Sequence, residues 1–427
     1  MKCRPSNIFA ACGLAFLLLA QIGCGPNKAQ IQAERAISDY FVGDYPRAVQ
    51  RLAPLSAKTD ENFVLNNLRL GSAALADYDL DTAEGAFLRA YEVLNSVGVN
   101  NGGRTIGAVL VSENIRIWRG EPYERAMANF YLGLVYYMQR DYNNARAAFE
   151  NALFKLRDYG ENAKGGKYVE QESNFALARV MLARSYQRIG RDDAAAKHFA
   201  QVAETRSYLS AAADPKLHAE SNVLLVIDFG YGPQKVTDFD GSIVGFTPAP
   251  PEVGPPPIPR VEVDGADWDV EQVARPPVDL VVLAHDRRWQ SIDTIRAVKS
   301  AVGTGLMVGG LAYGTQHDAR PEIVLAALIG GMLLKATSQA DVRQWEMLPR
   351  TTYLVPLSLP PGKHDVSVSF PQVRGVRQEW RGLVAPEPGG EATYYLRMQR
   401  YDAGPNYWPP PALAGYDANL PHADARP

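Results

Sequence analysis

Three stretches of the chain repeat one spacing of apolar and small residues, and that spacing belongs to paired antiparallel helices. The template is a leucine, a small residue next to it, an aromatic residue or alanine one turn on, and then Ala, Phe and a small residue along a second helix. Leu70, Gly71, Ala74, Ala83, Phe87 and Ala90 meet it. Leu132, Gly133, Tyr136, Ala145, Phe149 and Ala152 meet it again. Leu182, Ala183, Tyr186, Ala195 and Phe199 form a third copy, with Val202 in place of the last small residue. Small residues mark where two backbones cross closely, and large ones fill the space between. Turn-forming sequences fall at the same place in each copy, at 76–79, 139–142 and 188–191. A fourth, degenerate copy runs from Gly43 to Ala48 and includes Leu52.

This pattern resembles the tetratricopeptide repeat, whose period is about 34 residues. Ala48 and Ala83 are 35 apart, but the next intervals, to Ala145 and to Ala195, are 62 and 50. Insertions at Asn95–Pro122 and Asp158–Glu172 account for the excess. Such uneven units do not build a uniform groove, and insertions in repeat proteins tend to emerge on one face, often the binding face. Residues 33–213 are read as this helical repeat domain, ending at Ala213-Asp-Pro215.

The 427 residues carry 44 basic and 47 acidic side chains, a net charge of −3. That balance leaves no field to hold nucleic acid. Lys2 and Arg4 precede an apolar run from Ile8 to Ala20, the layout of a secretory leader. Cys3, Cys12 and Cys24 are the only cysteines, so the folded part has no disulfide, zinc-thiolate site or thiol nucleophile. Gln21-Ile-Gly-Cys24 resembles a bacterial lipoprotein box, although Gln21 stands where leucine is usual. The resemblance implies a signal peptide over 1–23, lipidation of Cys24, a tether over 24–32 and membrane attachment. With Gly25 following the cysteine, it implies the outer membrane, facing the periplasm.

Beyond the helices the composition turns to β. A linker with a first β segment occupies 214–246, including the run from Asn222 to Phe229. Thr247 to Pro259 holds seven prolines, so 247–260 is read as a stiff extended loop. Residues 261–398 are read as a β-rich domain, with strands at Val278–Ala284, Thr352–Leu359, His364–Phe370 and Thr393–Met398. Leu359-Pro-Pro-Gly-Lys-His364 is expected to join two of these as a hairpin. Within this domain, 301–336 carries closely spaced glycines in two apolar arms and is expected to form a short helical hairpin. Each arm is too short to span a bilayer, so the hairpin is read as packed on the sheet. Residues 399–427 are read as a disordered tail. The fold class is therefore α+β, helical repeats first and a β-rich domain with a glycine-rich apolar hairpin after.

No catalytic constellation is legible. The six histidines are scattered without ligand spacing, and no phosphate-binding loop or nucleophile elbow occurs. The chain is expected to have no enzymatic activity, no cofactor and no metal. Two motifs stand out. In Trp118-Arg-Gly-Glu-Pro-Tyr-Glu-Arg125, Trp118 and Tyr123 offer apolar anchors while Glu121 and Glu124 sit at a helix start, which suits docking. In the Ser338–Trp345 segment, Asp341 and Arg343 are expected to pair with Trp345 packed over them.

Together with Gly230–Lys235 and Leu359–Gly362, these motifs resemble a family of bacterial envelope lipoproteins with tetratricopeptide-like repeats. Its most specific shared element is Ala340-Asp-x-Arg-x-Trp345, followed by Leu348-Pro349. The resemblance spans about Ala33 to Met398 and implies an envelope protein without known catalytic activity; no catalytic residue is carried over. The resulting expectation is a lipid-anchored, periplasm-facing scaffold that binds an envelope protein through its repeats. Arg140, Tyr142 and Arg146 join the Trp118 motif as partner-binding candidates. The competing expectation is a membrane-associated homo-oligomer assembled through 301–336.

Overall fold

The computed structural model describes residues 28–95, 117–156, 158–161, 168–171, 175–238, 243–249, 254–285, 343–373 and 376–399. Cys24, the apolar segment 301–336, Asp341 and the tail from 400 onward lie outside them.

Four antiparallel helix pairs form the N-terminal part. They are α1 (Lys28–Phe41) with α2 (Tyr45–Ser56), α3 (Phe63–Ala76) with α4 (Leu80–Asn95), α5 (Pro122–Met138) with α6 (Tyr142–Phe154), and α7 (Ala176–Arg188) with α8 (Asp192–Thr205). Each pair turns through one residue of positive φ: Gly43, Tyr78, Arg140 and Gly190. In three turns an aspartate follows and caps the next helix. Asp44 accepts from Arg47 N at 3.2 Å, Asp79 from Thr82 N at 3.1 Å and Asp141 from Asn144 N at 3.1 Å.

The small residues of the template do what their spacing implies. A Cβ built on Gly71 would lie 2.6 Å from the Phe87 ring, and one on Gly133 would lie 2.7 Å from Phe149. Phe87 cannot give way, because it is buried and stacked on Tyr131 at 5.8 Å. Gly71→Ala is therefore expected to lower folding stability by about 1–3 kcal/mol through overpacking. A urea midpoint unchanged from wild type would refute this close approach.

The second insertion forms a two-stranded hairpin, β1 (Asp158–Glu161) with β2 (Tyr168–Gln171). After α8 two short 3-10 turns and α9 (Pro215–Glu220) close the helical stack.

The C-terminal part contains two larger sheets. Parallel to β3 (Val223–Phe229) runs β11 (Ala392–Met398), with Ala392 opposite Val223; β8 (Thr351–Leu357) pairs antiparallel on the other side of β3. The second sheet is antiparallel, in the order β10 (Arg377–Ala385), β9 (Gly362–Ser369), β6 (Arg260–Val263), β7 (Ala266–Trp268). Phe370, just after β9, joins the sheets by packing on Phe229 at 4.0 Å and on Tyr353 at 5.7 Å. A separate hairpin pairs β4 (Gln234–Asp238) with β5 (Ile243–Thr247).

Two local expectations are corrected. The apolar run Val278–Ala284 is mostly helix, α10 (Leu280–His285), and forms no strand. A short apolar run is ambiguous between the two; here Asp279 decides, its carboxylate accepting from Val281 N at 3.0 Å while bridging to Arg350. The Leu359–His364 turn does not close a hairpin, because β8 and β9 belong to different sheets. The Asn222 side chain takes the place of a strand partner there. It accepts from Leu359 N at 2.9 Å and donates to Leu359 O and Pro386 O, so the chain leaves the first sheet at that point. Strand β10 escapes the sequence reading, although its Gln378 and Trp380 alternate inward as an edge strand should. Part of the proline-rich segment lies against β8, where Pro257 O accepts from Tyr353 OH. Prolines there offer no N–H for further pairing.

Candidate functional site: the self-filled repeat groove

A surface helix keeps one polar face in water. The first helix of each full repeat does not. Every residue of α3 is buried, as are nearly all of α5 and the first ten residues of α7. Their partner helices cover one side, and on the other β11 lies against α3 and α5, with β3 reached by Tyr131. Tyr78 OH donates to Tyr395 O at 2.6 Å, so the helices hold the backbone of β11 directly.

Beneath this contact lies a buried polar cluster. Asp228, on β3, accepts from Tyr131 OH at 2.6 Å, from Tyr395 OH at 2.7 Å and from Thr352 Oγ1. Arg397, on β11, donates to Met398 O at 2.7 Å, to Gly230 O at 2.6 Å and to Tyr40 OH at 3.1 Å. Burial pushes the Asp228 carboxyl up, opposed by the Arg397 charge and the three hydroxyl donors. With each group hydrogen-bonded, the cluster fixes how the sheet sits in the groove.

A second cluster closes the far end. Glu391, directly before β11, pairs with Arg184 at 2.9 Å and with Arg188, and accepts from Tyr137 OH at 2.9 Å. Burial alone would raise Glu391, but the two guanidiniums override it and hold the carboxyl below its usual range.

The two motifs prominent in the sequence meet each other at the near end. Trp118 is 2% exposed, and its Nε1–H donates to Arg343 O at 2.9 Å. Glu124 accepts from Glu121 N and from Trp345 N, each at 2.7 Å. Lys235 reaches both carboxylates, Glu121 at 3.2 Å and Glu124 at 3.3 Å. Burial would pull the Lys235 ammonium down, but Glu124 and Glu121 hold it above its usual value. Tyr123 is buried edge-on against Phe246 at 5.6 Å. Trp345 lies between α3 and α5, 5.6 Å from the Tyr131 ring, with its Nε1–H donating to Ser72 Oγ at 3.1 Å. Trp118, Tyr123 and Glu124, named above as docking candidates, are all buried inside the molecule.

The expected pairing of Arg343 with Asp341 lies partly outside the described residues; Arg343 itself donates to Glu61 O at 2.8 Å and Asn62 Oδ1 at 3.2 Å. Beside it, Arg69 grips Glu346 with two bonds, of 2.9 and 2.6 Å.

Four predicted binding residues remain partly exposed, Glu121 among them beside Lys235. Arg140 occupies the left-handed turn position with φ of 63°. Tyr142 is half-buried against Tyr137 at 5.1 Å. Arg146 pairs with Glu150 at 2.8 Å and lies over the Tyr186 ring at 5.8 Å. Tyr136 is half-buried. The structure brings none of Arg140, Tyr142 and Arg146 into one site with the Trp118 motif.

Sequence reasoning missed Asp228, Arg397, Glu391, Arg184 and Arg69. A signal existed for two of them: Asp228 and Arg397 interrupt otherwise apolar strands, and a charge in a buried strand demands a partner. Among the described residues no helix is long and apolar enough to cross a membrane, and no group of acidic, histidine or cysteine side chains is arranged to hold a metal.

No protein-family model matches the chain, and no curated protein matches it in sequence. Among solved structures, a crystal structure of MamA is similar at 18% identity with a TM-score of 0.30, covering 49% of this chain and 99% of that one. A second MamA structure gives 19% identity and the same TM-score, over 44% of this chain and 77% of the other.

Proposed function

We propose that the chain is a lipid-anchored scaffold of the bacterial cell envelope, engaging a protein partner at one end of its helical stack. The observation that carries this reading is the filled groove. Among the described residues the repeat face is occupied by the chain itself, with Tyr78 held to β11, Tyr131 to Asp228 of β3 and Tyr137 to Glu391 just before β11, and is not open to an incoming peptide.

The insertions point to the end of the stack instead. Gln32, early in α1, donates to Arg51 O late in α2, and Asn67, early in α3, donates to Ser56 O. The start of α1, the end of α2 and the start of α3 therefore share one end. Trp118 N donates to Glu61 O at 2.9 Å, which brings the return of the first insertion to that end, and Arg343 on Glu61 brings the return of the 286–342 segment there too. The residue before that segment, His285, faces Phe246, itself against Tyr123 at the start of α5. Helix α1 begins at this end, four residues after Cys24 in the sequence, so a lipid on Cys24 would tether the chain from here.

Photo-crosslinking residues placed at Lys58 and Arg119, both exposed at this end, are expected to capture one defined envelope protein. Placed at Tyr142 or Lys197 they are expected to capture none. Capture of that protein from Tyr142, and not from Lys58 or Arg119, would sink the proposal. Labelled fatty acid is expected on the wild-type chain and absent from Cys24→Ala; label retained in the variant would remove the anchor from the reading.

A further inference from the structure

His218 is the one buried histidine among the described residues. It lies on α9, stacked on Phe199 of α8 at 4.7 Å with the rings 10° apart. Its Nδ1 faces Arg184 Nη1 at 2.5 Å, and its Nε2 is 2.8 Å from Ala212 O. A guanidinium only donates, so Nδ1 must accept; the carbonyl only accepts, so Nε2 must carry the hydrogen. The geometry therefore requires a neutral ring with its proton on Nε2.

The same Arg184 reaches Glu391 through Nη2 and Ser221 Oγ through both terminal nitrogens. Histidine, arginine and glutamate thus form one chain from the closing helix α9, through α7, to the lead of β11.

We propose that protonation of His218 unlatches this end of the groove, loosening α9 and β11 from the repeats and exposing the face that the sheet otherwise fills. The charges around the ring favour this. On α7, Arg184 and Arg188 face it, with Glu391 of the β11 lead as their buried counter-charge among the described residues, so these three groups carry one excess positive charge. Tyr137 of α5 donates to that same carboxylate and adds no charge. Phe199 is the ring contact from α8 and brings no charge. On α9 itself, Lys216 and Glu220 pair at 3.7 Å in solvent, and Asp214 caps the helix outside. A proton on Nδ1 would remove the acceptor of the Arg184 bond and set two cations in contact.

Burial first, and then the Arg184 charge, hold His218 well below its ordinary value of 6.5. An opened state returns the ring to that ordinary value, so the open form binds the proton more readily. The latch is accordingly intact above pH 6.5 and weakens as pH falls below it. Glu391 contributes in a separate window, since a carboxyl held below its ordinary 4.5 loses its stabilising effect only as pH falls under that value.

The test is amide hydrogen exchange of the full chain at Leu217–Asn222 and Ala392–Met398, between pH 7.5 and 5.0, with exchange corrected for its intrinsic pH dependence. The opening constant is expected to rise toward about tenfold per pH unit below 6.5. In His218→Asn, whose amide oxygen can accept from Arg184 without titrating, that rise is expected to vanish. An equal rise in the variant, or none in wild type, overturns the proposal. Should the variant fail to fold, histidine-labelled NMR of the wild type decides: Nε2–H and no titration of the native signal down to pH 5 are expected, while a ring titrating near 6.5 in the closed form refutes the latch.

Discussion

Glu391→Ala is expected to destabilise the folded chain by about 3–5 kcal/mol, the cost of leaving buried charge without its partner. The carboxylate is the buried counter-ion of Arg184 and Arg188 and the acceptor for Tyr137 OH. Its loss strands the buried Arg184 guanidinium and removes the partner of the partly exposed Arg188. Far-UV circular dichroism during urea unfolding measures the effect. Glu391→Gln is expected to fall between wild type and alanine, because its one amide oxygen keeps the acceptor for one guanidinium while the NH2 group replaces the oxygen that serves the other. Arg184→Met combined with Glu391→Leu is expected to recover part of the loss, since an apolar replacement of a buried pair escapes the desolvation penalty. A loss under about 1 kcal/mol in Glu391→Ala would mean that the pairing is absent in solution.

Trp345→Ala is expected to cost a similar amount, about 3–5 kcal/mol, through lost transfer free energy and the cavity left behind. Its indole is 2% exposed and lies among Phe87, Tyr131 and Ser72, so it belongs to the repeat core although it enters from the C-terminal part. The variant is consequently expected to lose exchange protection in α3, α5 and the β3 sheet together. Protection lost only around residue 345, with α3 and α5 unchanged, would show that the helices do not depend on it.

The helix pairs were legible because helical packing writes a local period. Gly71 against Phe87 and Gly133 against Phe149 lie on adjacent helices joined by a short turn, so the residues that touch are near in sequence. The strands at β3, β8, β9 and β11 were legible from apolar runs bounded by turn residues. The helix at Leu280–His285 was not, because six residues hold too little periodicity and a distant Arg350 helps Asp279 cap it. The Leu359 turn was misread for a related reason: its chemistry suits a hairpin, but which strand pairs with which is settled by Asn222, well over a hundred residues away.

The candidate site shows the same division more sharply. Trp118, Glu124, Arg343 and Trp345 were conspicuous as residue types, and the sequence could not say that they would find each other. Their exposure followed from the partners they met: Trp118 from Arg343 O, Glu124 from Lys235 and Trp345 N. Periodicity and residue chemistry alone determined that this chain makes stacked helix pairs followed by β structure. Only the tertiary structure decided that the groove of those helices is occupied by the chain's own strand β11. The physical reason is that a groove and its occupant are coupled across more than two hundred residues, through bonds such as Arg184 to Glu391, and no local pattern records such a pairing.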